Sequence, residues 1–132
     1  MKQELAMISL LVRDYDEAIA FYTRKLGFQL LEDSRLSETK RWVVVAPPGS
    51  SCSLLLAKAA SEEQEKAIGR QTGGRVFLFL HTDNLERDHL HLLEEKVEIV
   101  REPEEAPYGK VLVFRDLYGN LWDLIQPVRV PE

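Results

Sequence analysis

The alternation of apolar and polar positions breaks this chain into short strand-like runs and two capped amphipathic stretches. Ala6 to Val12 and Val76 to His81 are brief apolar runs that each lead straight into a helix start. The first helix opens at Asp14-Tyr15-Asp16-Glu17, with an acceptor at the N-cap and Glu at N3, a capping-box arrangement. Ile19, Tyr22 and Leu26 then share one helical face with Ala18 and Phe21, and Gly27 supplies the left-handed residue that ends the helix. Asp83-Asn84-Leu85-Glu86 opens a second helix, which carries Leu90, Leu93 and Val97 and ends near Lys96. Strands are also predicted over Phe28 to Leu31, Arg41 to Ala46, Ser53 to Ala57, Val97 to Val100, Val111 to Arg115 and Leu121 to Ile125. Pro47-Pro48-Gly49 and Asp116-Leu117-Tyr118-Gly119-Asn120 are the turns between them.

The order strand-helix-strand-strand-strand therefore occurs twice, about 70 residues apart. Leu11 matches His81, Val43 matches Val113, Gly49 matches Gly119 and Ser53 matches Asp123, whereas the caps Asp14 and Asp83 fall one residue out of phase. Residues 59–74 are charged and polar, carry one short helix from Glu62 to Ile68, and read as a linker. Each half alone buries too little apolar surface to stand by itself. One domain over 1–132 is expected, with module one at 1–58 and module two at 75–128.

Composition narrows the function classes. With 132 residues, 45% of them hydrophobic and 30% charged, the chain is globular rather than disordered. A net charge of −5 and the lack of any basic run argue against nucleic acid as a partner. Leu5 to Val12 is too short to span a membrane, and Glu4 stands where a signal peptide carries positive charge. Cys52 is the single cysteine, so no internal disulfide forms, and a cytoplasmic location is expected.

Three stretches resemble the vicinal oxygen chelate superfamily, which includes glyoxalase I, bleomycin-resistance proteins, fosfomycin-resistance enzymes and extradiol dioxygenases. The first runs from Val12-Arg13-Asp14 through Ala18 and Phe21-Tyr22 to Leu26-Gly27-Phe28. The second is Thr82-Asp83-Asn84-Leu85. The third is Phe114-Arg115-Asp116-Leu117-Tyr118-Gly119-Asn120-Leu121-Trp122-Asp123-Leu124-Ile125-Gln126-Pro127, close to the family's F-x-D-P-D-G-N-x-x-E-L-x-Q-P. The resemblance implies an α+β fold of two βαβββ modules pairing into a curled mixed sheet around a cavity, and a homodimer.

It also implies four metal-ligand positions, on the first and last strands of each module. Counting back from the helix starts places two of them at Met7 and Phe77; the last-strand positions fall at Ser53 and Asp123. Only Asp123 is a donor for a hard divalent ion, so no cofactor is expected and a divalent metal is the competing case. His89 and His91 lie about 200° apart around their helix and do not share a metal.

Strand parity defines the expected ligand-binding face. Met7, Ser9 and Leu11 point one way, and Phe77, Phe79 and His81 point together, as do Leu121, Asp123 and Ile125. Ser53 adds a hydroxyl, and Arg41 is the candidate partner of Asp123 provided its strand turns that residue inward. His81 and Asp123 are the candidate catalytic pair. Trp122, beside Asp123, is read as core; Glu102-Pro103-Glu104-Glu105 is read as a solvated loop. A mostly apolar cavity with a few directed polar groups suits a small molecule. The expectation is a metal-free small-molecule-binding protein, with a lyase, isomerase or dioxygenase-like enzyme of the same superfamily as the alternative.

Overall fold

The computed structural model describes residues 1–128. The chain forms two compact units that divide between Ile68 and Gly69, each built on one four-stranded sheet. In the first unit β1 (Met7–Val12) leads into α1 (Tyr15–Ala20), followed by β2 (Gln29–Arg35), β3 (Arg41–Ala46), β4 (Ser53–Lys58) and α2 (Glu62–Ala67). In the second, β5 (Val76–His81) leads into α3 (Leu85–Glu94), followed by β6 (Ile99–Ala106), β7 (Gly109–Arg115) and β8 (Leu121–Pro127). The strand orders are β1-β4-β3-β2 and β5-β8-β7-β6. In each sheet the first and last strands of the module run parallel, and the other neighbours are antiparallel. The βαβββ repeat read from the chain is the topology of each unit.

The helix starts differ from the reading in one respect. Asp14 caps α1, its Oδ2 accepting from the Glu17 N–H at 2.9 Å. Asn84, not Asp83, caps α3, accepting from the Arg87 N–H at 3.0 Å, and so stands in phase with Asp14 in the repeat. Asp83 instead takes an ion pair with Arg87. After α1 the chain widens into a π-helical turn, Phe21–Lys25, and ends at Gly27 in the left-handed region (φ +76).

One side of each sheet carries the core. Leu10, Val12, Val43, Val45 and Leu56 are fully buried and alternate along their strands on the side that α1 covers. In the second unit Leu112, Phe114, Trp122 and Leu124 are buried, and Trp122 stacks on Phe114 with centroids 5.9 Å apart. Gln126 continues that side of β8: its Oε1 accepts from the Leu85 N–H at 2.9 Å, which ties β8 to the start of α3. Leu85 and Leu92 are the residues α3 buries; Leu90 and Leu93 are exposed.

The Glu102-Pro103-Glu104-Glu105 segment lies inside β6 rather than in a loop. β6 is an edge strand whose pairing with β7 slips between Ile99 and Arg101 and again between Arg101 and Glu104. Pro103 falls at the second irregularity, where its missing N–H removes no ladder bond. Gly109 (φ +144) starts β7, and a Cβ there would stand 2.2 Å from the Gln126 carbonyl oxygen, so only glycine fits.

Candidate functional site

With the core sides assigned, register sets out the opposite faces. In the first unit Met7 pairs with Ser53, Ser9 with Leu55 and Leu11 with Ala57, and Leu55 pairs with Val44 of β3. These residues share one side, as parity predicts for Met7, Ser9 and Ser53. Met7 and Ser9 are exposed on it, while Leu11, Ser53 and Leu55 are half-buried.

Arg41 does not belong to this face. It alternates with Trp42 and stands with Val43 and Val45 on the α1 side. Its guanidinium forms a bidentate pair with Asp33 (3.1 and 2.7 Å), reaches Asp16 at 3.0 Å and lies 5.1 Å above the Tyr15 ring. The hydrogen bond from Arg41 holds the Asp33 carboxyl below its ordinary range, and the same bond raises Arg41. These carboxylates, not Asp123, are what Arg41 serves.

In the second unit Phe79 pairs with Asp123 and His81 with Ile125, so Phe79, His81 and Asp123 share the side away from α3. Phe77 departs from the expectation. Between Val76 and Leu78 the register shifts by one residue, leaving Phe77 as the extra, half-buried residue of a β-bulge. The position beside Asp123 is therefore held by Phe79, two residues further along than counting from the helix start implies.

Asp123 pairs on its other side with Val113, which pairs with Arg101. A small hollow of about 60 Å³ brings Asp123 together with Arg101, Glu104, Tyr108, Val111 and Val113. Burial pushes the Asp123 carboxyl above its ordinary range, and the positive charge of Arg101 partly opposes that shift. Arg101 also pairs with Glu104 at 3.0 Å. Arg101 and Glu104 were invisible as site residues because β6 reaches this face only through its two register slips.

Of the positions that the superfamily resemblance implies, Met7 and Ser53 are ladder partners in the first unit, whereas in the second the partner of Asp123 is Phe79 and not Phe77. A thioether, a hydroxyl, a phenyl ring and one carboxylate do not make a donor set for a hard divalent ion. Among the described residues no group of three or more His, Cys, Asp or Glu comes together. His89 is half-buried, with its Nε2 3.5 Å from Glu102 Oε2 and no hydrogen bond to it; His91 is exposed.

The turn motif before β8 is structural. Asp116 is buried, its Oδ1 accepting from the N–H groups of Tyr118 (3.0 Å) and Asn120 (2.9 Å), while Oδ2 accepts from Asn120 Nδ2 (2.9 Å) and Trp122 Nε1 (3.4 Å). It thereby sets where β8 begins, and so where Asp123 falls.

Comparison with known proteins agrees with this architecture. The family model for the Glyoxalase/Bleomycin resistance protein/Dioxygenase superfamily matches residues 4–124. An uncharacterized protein of Shewanella frigidimarina (strain NCIMB 400) is 57% identical over 128 residues, covering 96% of this chain and 95% of that one. Among solved structures, UcmS2 superposes with a TM-score of 0.82 at 31% identity, covering 95% of this chain and 98% of that one. TnmS3, an antibiotic binding protein from Streptomyces sp. CB03234, superposes with a TM-score of 0.79 at 31% identity, covering 96% and 98%.

Proposed function

This chain belongs to the Glyoxalase/Bleomycin resistance protein/Dioxygenase superfamily, and on that premise we propose that it binds a small, largely apolar molecule without a metal. The observation that carries the reading is Asp123, a partly buried carboxylate set beside Phe79 in a hollow with Tyr108, Val111, Val113 and the Arg101–Glu104 ion pair. Aromatic and aliphatic surface around a few directed polar groups is the usual composition of a small-molecule site. Because burial disfavours its charge, Asp123 gains more from a ligand cation or N–H donor than a fully hydrated carboxylate does. Phe79, 64% exposed, and Tyr108, 54% exposed, supply aromatic surface beside it. The likeness to an antibiotic binding protein of the same superfamily supports a binding role. His81 lies two residues along β5 from Phe79 on the same side, and Met7, Ser9 and Ser53 are the proposed ligand-facing residues of the first unit's own sheet.

The exposed apolar residues Met7 and Phe79 also support a homodimer, since large apolar surface left open is normally covered by a ligand or a second chain. Light scattering at micromolar concentration then gives twice the 15.2 kDa monomer mass. A monomer at that concentration removes the dimer from the proposal.

The binding test uses proflavine, a planar aromatic cation, titrated calorimetrically into the full chain. Saturable binding is expected that is unchanged by EDTA and about tenfold weaker in Asp123→Asn, the scale of one charge-assisted hydrogen bond. Binding that ignores the Asn substitution, or no saturable binding, overturns the placement of the ligand at Asp123.

A further inference from the structure

A second concavity lies in the first unit, where β4 ends and β3 begins. Its volume is about 480 Å³, within the range of small-molecule sites. Lys58, at its edge, is five residues along β4 from Ser53, about 16 Å at strand rise. Leu55 and Ala57, nearer Ser53 along β4, also line the cleft and share the face of Met7, Ser9 and Ser53.

Its chemistry is one-sided. Trp42, Leu55 and Ala57 provide apolar surface, and every lining side chain that carries a charge, Lys40, Arg41 and Lys58, is a cation; no carboxylate lines it. Arg41, among the residues lining the cleft, is already neutralised by Asp33 and Asp16, so it is not the group that takes an anion. Lys40 and Lys58 are exposed and take part in no ion pair with another described residue. Gln64 accepts from the Ala60 N–H through Oε1 at 2.8 Å, which leaves its amide nitrogen as a donor. In a chain of net charge −5, this arrangement gathers donors and positive charge around an apolar floor.

We propose that this cleft binds an aromatic organic anion, a carboxylate or sulfonate. Its ring packs on Trp42, Leu55 and Ala57, and its anionic group is taken by Lys40 and Lys58 with Gln64 donating. The site stands on its own and does not rest on the reading of Asp123.

The probe is 8-anilinonaphthalene-1-sulfonate, titrated into the full chain while tryptophan emission is followed. The protein has two tryptophans; Trp42 lines the cleft and Trp122 is buried in the other unit. Saturable binding is expected to quench emission in the parent and not in Trp42→Phe. Reversing both exposed lysines, Lys40→Glu with Lys58→Glu, weakens binding by about tenfold or more, and the neutral pair Lys40→Gln with Lys58→Gln gives a smaller loss. Raising salt to about 0.5 M weakens the parent but not the neutral pair. Asp123→Asn leaves this binding unchanged, just as the lysine variants leave proflavine binding unchanged, so the two sites fail separately. Binding that survives charge reversal, that is lost in Asp123→Asn, or that does not saturate overturns the proposal.

Discussion

Phe79 and Asp123 are direct partners across the parallel β5–β8 ladder, as Met7 and Ser53 are across β1–β4. The two modules thus present equivalent pairs at the same place in their sheets, and three of the four side chains are uncharged. The fourth carries the only ionisable group, in surroundings that disfavour its charge. A carboxylate held this way is poorly used by the fold itself. That is the physical basis for assigning it to a ligand.

The same reasoning predicts that Asp123→Asn stabilises the protein without ligand at neutral pH. Its pKa is raised in the folded state, so ionisation costs stability above the folded pKa, and that cost disappears once pH falls below the unfolded value. The variant should melt above the parent at pH 7, with the difference closing by about pH 3. Thermal melts across this range decide it. A variant melting below the parent at pH 7 would mean that Arg101 compensates Asp123 fully and that the carboxylate serves the fold.

Much of this architecture was legible in the chain because it depends on local chemistry. Asp14 and Glu17 announce α1, the turn glycines mark the hairpins, and strand parity put Met7, Ser9 and Asp123 on the faces away from the helices. What escaped depended on register. The bulge at Phe77 shifts the partner of Asp123 to Phe79, and the slips in β6 bring Arg101 to the Asp123 face, neither of which leaves a periodic trace. The side that Arg41 takes is not legible in the chain, because a single charge inside an apolar run carries no sign of which face it occupies. Its partners, Asp33 and Asp16, come from a neighbouring strand and from α1.

Asp116 is expected to matter for folding and not for binding chemistry. Replacing it with Ala strands two backbone N–H groups and two side-chain donors in a buried turn, a loss of about 3 kcal/mol or more. Urea unfolding measures it directly. A loss below about 1 kcal/mol would show that water satisfies these donors and that the turn does not set β8.

The Arg41–Asp33 pair gives a pH dependence of opposite sign to Asp123. The Asp33 pKa is lowered by Arg41, so its contribution is present above the unfolded pKa and lost as pH falls through the folded one. Asp33→Asn should lower the melting temperature at pH 7, with the difference from the parent narrowing only as pH falls below the ordinary carboxylate range. Arg41→Lys keeps the charge but loses the two-pronged geometry, and most of the same destabilisation should follow. If the lysine variant melts like the parent, charge alone accounts for the pair.

Metal independence is the prediction on which the functional proposal stands or falls. Affinity for a divalent ion comes from several ionised or imidazole donors converging on it, and here the ladder partner of Asp123 is Phe79, while the equivalent pair of the other sheet is Met7 and Ser53. A second chain would double that carboxylate without adding nitrogen donors, leaving most of the ion's water shell in place. Binding stabilises a fold only by RT ln(1 + [L]/Kd), so an ion held weakly leaves the melt unmoved when a chelator removes it. EDTA should therefore change neither the melting temperature nor proflavine binding, and added Ni²⁺, Zn²⁺ or Mn²⁺ should restore nothing. A fall of several degrees on chelation, reversed by one of these ions and accompanied by turnover of the methylglyoxal–glutathione adduct, would replace the binding proposal with a metal-dependent lyase.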